Sequence, residues 1–336
     1  MDIIKQAVGI DISKDDFVVR FGSITKSQET NISKDETFRN DSKGFKKFDK
    51  WLEKNKVDDN TPLWIVMEAT GVYYENLAYY LSDQGFNLCV LLPNKAKNYA
   101  RTLENKSKTD SIDSKVLTQL GLERKLVHWE IPNPLYRELK SLTRERTSLL
   151  SMSLQLKNQL HAKKHSFSPG KTTVKRINSL LKKYKNLIKA VEEEIESLLQ
   201  SDNDLAAKVK KIKTIKGVGL ITIASILAET NGFALIKNRK QLASYAGLDV
   251  VLNESGKRRG KTRISKKGNS NLRHSVYMPA LTAVRYNVEF KNLYVRIIEQ
   301  KSIKKIGLIA VARKILLLVY TLWKNNKEYI YNYQMA

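Results

Sequence analysis

The first 130 residues alternate between short apolar runs and amphipathic segments. Two strands are predicted at residues 4–12 and 15–22, where apolar positions alternate on either side of a tight Ser13-Lys14 turn. The remaining elements predicted here are short buried strands at 62–67 and 87–92, and helices at 42–54, 71–84 and 95–103. This alternation of strands and helices indicates an α/β sheet domain.

The pattern changes after Ile131-Pro132-Asn133-Pro134. Apolar residues then recur every third or fourth position, which predicts helices at about 136–165 and 172–200, separated by Pro169-Gly170. Two long amphipathic helices around a short loop predict an antiparallel coiled-coil hairpin. Such a hairpin would serve as a spacer, as a dimerisation arm, or as both.

The remainder, residues 204–336, is predicted to be mainly helical. Helices at 208–215 and 220–229 flank Gly217-Val218-Gly219, which predicts a helix-hairpin-helix-like element. Glycines at such a turn let backbone N–H groups approach a phosphate, although the same turn also serves as a plain helix connector. The predicted domains are therefore 1–134, 135–203 and 204–336.

Charge changes this picture, because it is distributed unevenly. The 336 residues carry 60 Lys and Arg against 34 Asp and Glu, a net charge of +26. Residues 1–136 hold 20 of each sign, so the whole excess lies in residues 137–336, with 40 basic and 14 acidic residues. A field this one-sided points to a polyanionic partner, most simply nucleic acid.

Cysteine content and hydropathy exclude several classes of protein. The single Cys89 rules out a disulfide framework and a cysteine-built zinc site. Residues 1–6 lead into a strand rather than a secretory signal, and lysines and an arginine interrupt the most apolar stretch, 303–323. These features predict a soluble, cytoplasmic protein that no membrane anchors.

Four carboxylates stand at the ends of predicted elements. Asp11 and Glu68 end apolar strands, and Asp110 and Asp113 share one face of a helix predicted at 110–122. Clustered carboxylates need a divalent cation to remain ionised together, and oxygen-only ligands suit Mg²⁺ or Mn²⁺ rather than zinc. Two such ions can activate an attacking oxygen and stabilise the leaving oxygen of a phosphodiester.

Each acid has a plain structural alternative, since Asp110 would also serve as a helix cap and Glu68 as a surface carboxylate. Taken together, their order matches a ribonuclease-H-like arrangement of first strand, fourth strand and late helix.

A basic segment, NESGKRRGKTRISKKGNSNLRHS at 253–275, contains a candidate nucleophile. Its glycines predict a loop system, and its cations are suited to phosphate contacts: Lys257, Arg258, Arg259, Lys261, Arg263, Lys266, Lys267 and Arg273. Ser255 precedes Gly256 on a predicted exposed turn, where surrounding positive charge would stabilise an attacking alkoxide. Charge alone does not separate Ser255 from the nearby serines, which are Ser244, Ser265 and Ser270.

Six ordered blocks resemble the DEDD transposases of insertion-sequence family 110, the bridge-RNA-guided recombinases. They are VGIDISKDDFVV, MEATGVYYENLAYYL, KTDSIDSKVL, IKGVGLITIASILAE, QLASYAGL and SGKRRGKTRISKKGNSNLR, and they span nearly the whole chain. Two positions depart from the usual pattern of that family: Val250 replaces a proline and Ser114 replaces an alanine.

The resemblance implies a RuvC-like domain, a coiled coil and a C-terminal transposase domain. It implies that Asp11, Glu68, Asp110 and Asp113 bind Mg²⁺ and that Ser255 forms a covalent link to DNA. It further implies a structured guide RNA that pairs with donor and target DNA, and dimers that assemble into a tetramer in which the acids of one protomer meet the serine of another.

Two other hypotheses remain open at this stage. A metal-dependent junction endonuclease would hydrolyse DNA with the acids alone. A non-catalytic scaffold would bind nucleic acid through the basic residues only.

Overall fold

The computed structural model describes residues 2–103, 109–234, 236–256, 258–260 and 262–330. It divides into two compact units, residues 1–131 and 132–336. The boundary falls at the Ile131-Pro132 step, where the sequence pattern changes. The first unit is mixed α/β and the second is mainly helical, as predicted.

The first unit is built on a six-stranded mixed sheet. Its strands are β1 (Ile3–Ile12), β2 (Asp16–Thr25), β3 (Thr30–Ile32), β4 (Glu36–Arg39), β5 (Leu63–Glu68) and β6 (Asn87–Leu91). The order is β3-β2-β1-β5-β6, with β4 also paired to β2. β1 runs antiparallel to β2 but parallel to β5, and β5 runs parallel to β6.

Helices cover both faces of this sheet. They are α1 (Ser42–Asn55), α2 (Glu75–Asp83), α3 (Pro93–Ala100) and α4 (Asp110–Glu123). Phe48 of α1 and Leu77 of α2 pack with Val8 and Ile10 of β1 on one face. Val116 and Leu117 of α4 join Val66 of β5 in a separate cluster. Because successive strand residues face opposite sides, two cores on one sheet are expected from its alternating apolar residues.

In the first unit, sequence patterning missed two strands and placed the start of α2 four residues too early. β3 and β4 are short, polar and largely exposed, so they carry no apolar alternation. α2 begins at Glu75 rather than at residue 71, because Gly71 has a φ of +60° and residues 71–74 form a turn. A left-handed residue cannot continue a helix.

Helix α4 lies unusually close to β1. A Cβ atom built on Gly9 would stand 2.2 Å from the backbone nitrogen of Thr118 and 2.3 Å from the carbonyl oxygen of Ser114. The Gly9 amide also donates to Thr118 Oγ1 at 3.1 Å. Ser114, one of the two departures from the family pattern, is fully buried at this contact. Its hydroxyl donates back to the carbonyl of Ser111 at 3.0 Å.

Substituting Gly9→Ala should therefore destabilise the first unit. The added methyl meets backbone rather than a flexible side chain, so α4 must move, at a cost of about 1–3 kcal/mol. Thermal and denaturant unfolding would measure the change. Gly219→Ala is the matched control, since a Cβ there meets nothing within 4 Å and we expect a change within about 0.5 kcal/mol. Equal stability of the two variants would contradict this account of the packing.

The second unit is a bundle whose first two helices form a long hairpin. Its helices are α5 (Pro134–Lys164), α6 (Lys171–Gln200), α7 (Asn203–Lys213), α8 (Leu220–Thr230), α9 (Arg239–Tyr245), α10 (Ser270–Ser275), α11 (Tyr277–Tyr286), α12 (Val288–Lys301) and α13 (Lys304–Asn325). Four two-residue strands lie between α9 and α10: β7 (Val250–Val251), β8 (Glu254–Ser255), β9 (Arg258–Arg259) and β10 (Arg263–Ile264). One core cluster joins α8, α13 and the proximal ends of α5 and α6. In this unit, α7 begins at Asn203 rather than at the predicted residue 208.

Cross-helix contacts show that α5 and α6 run antiparallel. Arg146 Nη2 pairs with Glu192 Oε1 at 2.6 Å, and farther out the Tyr184 hydroxyl lies 3.5 Å from Met152 Sδ. The hairpin belongs to the same compact unit as the helices that follow it. Its coiled-coil character and the three-domain division remain predictions.

Helix α13 is long and apolar enough to cross a membrane by length and composition alone. Half of its most apolar 18-residue stretch is buried inside the protein. Val311, Ile315 and Val319 are fully buried in the core cluster of the second unit. This burial explains its hydropathy as that of a core helix.

Candidate active site

The first unit contains a pocket of about 250 Å³ at the carboxyl end of β1. All four predicted acids, Asp11, Glu68, Asp110 and Asp113, line it. The other lining residues are Ile12, Ser13, Asp16, Val18 and Thr70. Five carboxylates therefore face one small volume, and no lysine or arginine is among the lining residues.

Strand register explains why Asp11 and Glu68 meet. Ile10 of β1 pairs with Met67 of the parallel strand β5, so each acid is the next residue along its strand. Alternation places Asp11 on the same face as Gly9, against which α4 packs. Glu68 follows Val66 by two residues, so both side chains face the same side of the sheet, and Val66 belongs to the core cluster under α4. The sheet thus directs both carboxylates toward the helix that carries the other two.

The N-terminus of α4 is held in place by side chains. Thr109 caps the helix, accepting a hydrogen bond from the Ile112 amide at 3.2 Å. Asp110 and Asp113 lie in the first turn, where the positive end of the helix dipole favours carboxylates. Asp110 is thus the first residue of the helix, and the cap is Thr109.

A partly buried arginine ties this first turn to the sheet. Arg20 of β2 donates through Nη2 to Ser111 Oγ at 2.7 Å and to Asp35 Oδ1 at 2.8 Å. Ser111 Oγ in turn donates to Asp35 Oδ1 at 3.1 Å. The pKa of Asp35 lies below its ordinary value because of a backbone hydrogen bond, the Ser111 hydroxyl and the charge of Arg20. This network fixes the element that carries half of the acids.

The donor set of the pocket fits a hard divalent cation. It offers carboxylate oxygens together with the hydroxyls of Ser13 and Thr70, and no nitrogen or sulfur ligand. The Thr70 hydroxyl donates to Glu68 Oε1 at 3.3 Å and so orients that carboxylate. Across the described residues, no three His, Cys, Asp or Glu side chains converge closely enough to hold an ion.

Three polar residues of the pocket were missed by sequence reasoning: Ser13, Asp16 and Thr70. Asp16 accepts a hydrogen bond from the Ser13 hydroxyl at 2.5 Å. The position of Asp16 could have predicted its place in the pocket, because it begins β2 only a short turn after Asp11. A hairpin this tight brings the residues on its two sides together.

Ser255 lies in the second unit, near the tip of an irregular β ribbon. β7 pairs with β10 and, farther out, β8 pairs with β9, so that Ser255 stands opposite Arg258. Gly256 follows in the turn with a φ of +54°. Val250, Leu252 and Ser255 are all exposed, so little of the ribbon is packed against the unit. The prediction of a loop system was therefore only partly right, because the segment forms short paired strands.

The base of this ribbon is anchored on a buried carboxylate, Glu229 of α8. The side chain of Glu229 is 2% exposed. It accepts two hydrogen bonds from Arg144 of α5, at 2.9 and 3.1 Å. Asn269 and Asn271, just after the ribbon, donate to it at 2.7 and 3.2 Å. Tyr245, just before the ribbon, donates its hydroxyl to the Glu229 carbonyl at 2.9 Å. Both ends of the ribbon segment therefore meet at one residue.

Known families match both units. Residues 8–169 match the DEDD transposase family of IS110, and residues 209–295 match the Transposase IS116/IS110/IS902 family. The chain belongs to the IS110 transposases. Family membership makes it a transposase or recombinase that acts on DNA. The prediction of this family from the six sequence blocks is thereby confirmed.

Two relatives of this transposase extend over almost its whole length. They are the pilin gene-inverting proteins of Moraxella lacunata and Moraxella bovis. Each is 27% identical over 328 residues, which cover 97% of this chain and 98% of the relative.

The predicted nucleic-acid contacts of the transposase fall into distinct environments. Gly217 has a φ of +99°, and a Cβ there would stand 2.8 Å from the Ala283 nitrogen, so close helix packing already requires a glycine. Gly219 is exposed with open space around it. Arg258, Arg259 and Arg263 lie on ribbon strands, and Lys267 is exposed. Lys257 and Lys261 lie outside the described residues.

Arg273 and Lys266 take part in the fold of the ribbon base. Arg273 Nη1 donates to the carbonyls of Ala246 and Gly268 at 2.8 and 3.1 Å. Lys266 has a φ of +54°, and its amide donates to the Gly247 carbonyl. Arg273 is thus engaged in holding the backbone. Its assignment as a phosphate contact stays a prediction.

Glu229 makes the stability of the second unit dependent on pH. Burial alone would raise the pKa of Glu229, but the hydrogen bonds from Arg144 and Asn269 and the charge of Arg144 outweigh it and lower the pKa. A lowered carboxyl pKa stabilises the fold fully above the unfolded value of ~4.3, and this stabilisation disappears as pH falls through the folded value.

We expect Glu229→Gln to lower the free energy of unfolding by about 1–3 kcal/mol at neutral pH, at the low end for a buried pair because the Arg144 side chain is 52% exposed. Denaturant unfolding at a series of pH values should show the difference from wild type shrinking below about pH 4. Glu193→Gln is the control, since its pair with Lys189 is exposed and a change within about 0.5 kcal/mol is expected. If the difference in unfolding free energy between Glu229→Gln and wild type stayed the same in acid, the loss of stability would come from altered packing or hydrogen bonding and not from the lost charge.

Proposed function

We propose that this transposase exchanges DNA strands through a covalent serine–DNA intermediate, aided by Mg²⁺. The observation that carries the proposal is the single pocket lined by Asp11, Glu68, Asp110 and Asp113. These are the positions at which the family resemblance places its four acids. Mn²⁺ would satisfy the same oxygen ligands.

Asp11, Glu68, Asp110 and Asp113 would hold the metal, which when bound supplies positive charge at the attacking and leaving oxygens of the scissile phosphodiester. Thr70 orients Glu68, and the Arg20–Ser111 contact holds the first turn of α4 where both of its acids face the pocket. These fixed positions reduce the reorganisation needed when the phosphate arrives.

Ser255 would act as the nucleophile. A bond forms between Ser255 Oγ and phosphorus, the bond from phosphorus to one deoxyribose oxygen breaks, and the serine proton leaves with that oxygen as a hydroxyl. Attack by the hydroxyl of another strand reverses these steps and releases the serine. The number of phosphodiester bonds is conserved, so rejoining needs no ATP. The arginines on the ribbon strands would stabilise charge at the phosphate.

The acids and the serine belong to different compact units, and the proposed reaction needs both at one phosphate. We propose that dimers forming a tetramer on donor and target DNA bring them together, with the acids of one protomer serving the serine of another. A structured guide RNA would select the sequences by base pairing, and the protein would act in the cytoplasm. The names of the two Moraxella relatives support conservative exchange, because inverting a gene requires both of its ends to be cut and rejoined.

Trapping the covalent intermediate tests the proposal. Purified transposase would be incubated with guide RNA, Mg²⁺ and labelled donor and target duplexes, then denatured and separated. A labelled DNA–protein band whose modified peptide contains Ser255 is the expected result. Strand exchange without any covalent adduct would refute the serine mechanism.

A hydrolytic junction endonuclease is the second candidate function, because all four acids lie within the first unit and need no serine to bind a metal. That enzyme would release free ends, leave no adduct and be indifferent to Ser255. DNA binding with no metal-dependent cleavage at all would instead indicate a non-catalytic scaffold.

A further inference from the structure

The outer part of the helical hairpin carries charge of one sign only. Residues 147–191 contain ten basic residues and no acidic residue. The ten are Lys157, Lys163, Lys164, Lys171, Lys175, Arg176, Lys182, Lys183, Lys185 and Lys189. The acids of α6 follow directly, at Glu192, Glu193, Glu194 and Glu196. We call residues 147–191 the distal hairpin.

Most of the distal hairpin lies outside the core of the second unit, and only its proximal limit, at Leu149 and Val191, reaches the main core cluster. Leu139, Ile195 and Leu199, at the proximal end, are buried in the main core cluster. In the distal part Leu154 and Leu180 are about half exposed, and Phe167 at the tip is fully exposed. All residues from 161 to 170 are exposed. Buried apolar side chains are therefore few along the distal hairpin: Leu160, Ile177 and Val191.

Its cations are also largely unneutralised. Among the described residues, Lys189 with Glu193 is the one ion pair of the distal hairpin, and it lies at the proximal boundary. The pair of Arg146 with Glu192 lies just outside. Ten like charges on one rod repel each other, and this repulsion lowers stability unless a polyanion binds.

Cations from both helices meet on one side of the rod. A shallow groove is lined by Lys157 of α5 and by Lys182 and Lys185 of α6. Its floor consists of Leu150, Ser153, Leu181 and Ile188. The long lysine stems can lie along this apolar floor while their ammonium groups reach outward. Such an arrangement places three positive charges around one groove.

We propose that the distal hairpin binds the phosphate backbone of duplex DNA. This inference rests on the proposed function, in which the transposase acts on DNA. From Lys171 to Lys189 the helix extends ~27 Å, at about 1.5 Å per residue, which matches roughly eight base pairs at ~3.4 Å each.

Residue types favour a duplex over other partners. Single strands are held by stacking on aromatic side chains, but the aromatic residues of the distal hairpin are only Phe167 and Tyr184. The Tyr184 hydroxyl already contacts Met152. A second distal hairpin would carry the same positive charge and be repelled. Nine of its ten cations are lysines. Lysine contacts to phosphates carry no sequence information, which suits the proposed selection of sequences by a guide RNA.

A triple variant tests the proposal: Lys157→Gln, Lys182→Gln and Lys185→Gln. Glutamine keeps the stem and the helix propensity while removing the charge. Fluorescence anisotropy with a labelled DNA duplex, over a series of salt concentrations, should show affinity at physiological salt reduced by about 10- to 100-fold. The slope of log K against log salt should be smaller by roughly three, one unit for each lost phosphate contact.

The matched control is Lys46→Gln, Lys47→Gln and Lys50→Gln on α1, which are exposed and belong to the unit with no net charge excess. We expect its duplex affinity to stay within about twofold of wild type, because the same loss of net charge there removes no phosphate contact. Equal weakening of both variants, or unchanged affinity of the hairpin variant, would overturn the proposal. So would a loss of RNA binding or of self-association in the hairpin variant while its affinity for duplex DNA is kept.

This experiment is independent of catalysis. If the proposed strand exchange is wrong, the hairpin lysines should still govern duplex affinity and its salt dependence. If the hairpin inference is wrong, covalent adduct formation on saturating DNA should remain as proposed while the lysine substitutions leave affinity unchanged. The two failures therefore give different results.

Discussion

Asp11→Asn should lower the rate of strand exchange by roughly a thousand-fold or more, while DNA affinity stays within a few-fold of wild type. Asparagine keeps the shape of the side chain but removes a charged ligand at the pocket where the phosphate must react. A bound metal contributes several kcal/mol to stabilising the transition state, and ~4 kcal/mol corresponds to about a thousand-fold in rate. Single-turnover assays at saturating DNA would measure the loss.

A second measurement on Asp11→Asn reports on the metal without relying on catalysis. Wild-type protein should be stabilised against heat by Mg²⁺ or Mn²⁺, since a ligand that binds the folded state raises its stability. In Asp11→Asn this increment should be largely lost. The stability of each protein in metal-free buffer is the baseline from which its increment is measured.

Asp16→Asn is the control for the Asp11 experiments. Asp16 lines the same pocket but is exposed and accepts a hydrogen bond from Ser13. We expect it to reduce the rate by less than about tenfold, the size of an indirect electrostatic effect near 1.4 kcal/mol. If Asp16→Asn proves as damaging as Asp11→Asn, or if Asp11→Asn retains activity, the assignment of the four acids is wrong.

Ser255→Ala should abolish both the covalent adduct and strand exchange. The side chain is exposed on β8, and the change removes a hydroxyl without opening a cavity, so stability and DNA affinity should be unaffected. A missing nucleophile leaves no alternative oxygen in the same position, so residual exchange should be below detection rather than reduced by a fixed factor. Denaturing electrophoresis of the reaction detects adduct and exchanged products together.

Ser265→Ala is the matched control for Ser255. Ser265 lies in the same segment, but its hydroxyl donates to Asp249 Oδ1 at 2.6 Å, so it has a structural role at the ribbon base. Its loss should cost about 1 kcal/mol of local stability and leave the adduct in place. An adduct that survives in Ser255→Ala and disappears in Ser265→Ala would transfer the nucleophile to Ser265.

Long or strongly periodic features were predictable from sequence. β1, β5 and β6, the helical hairpin and the gathering of Asp11 and Glu68 at one sheet edge follow from apolar alternation and from the geometry of parallel strands. The pairing of Asp110 and Asp113 followed from helical spacing. These features depend on the spacing of residues close together in the chain, so the sequence alone is enough to predict them.

The features that were missed depend on tertiary contacts. β3 and β4 are polar strands that exist because β2 offers them a partner. The sequence shows Gly9 only as a glycine within an apolar strand, and its requirement for glycine comes from α4, which packs against it. Glu229 lies in the last turn of the apolar helix α8, and nothing in the neighbouring sequence indicates that Arg144, Asn269 and Tyr245 contact it. Periodicity does not report which remote residues meet.

The ribbon that carries Ser255 has consequences for how the transposase meets substrates of different shape. Its two ends are clamped by hydrogen bonds to a buried residue, whereas the strands beyond have few buried contacts and exposed backbone bonds. Local stability is lowest in segments of this kind, so bending and twisting of the chain concentrate there and leave the bundle undisturbed. Amide hydrogens of the ribbon strands β7, β8, β9 and β10 should therefore exchange with solvent far sooner than those of α8. We expect the ribbon to adapt its shape to a kinked or rotated duplex. Ordering the ribbon on DNA costs conformational entropy, and only the contacts of a correctly bound duplex offset that cost.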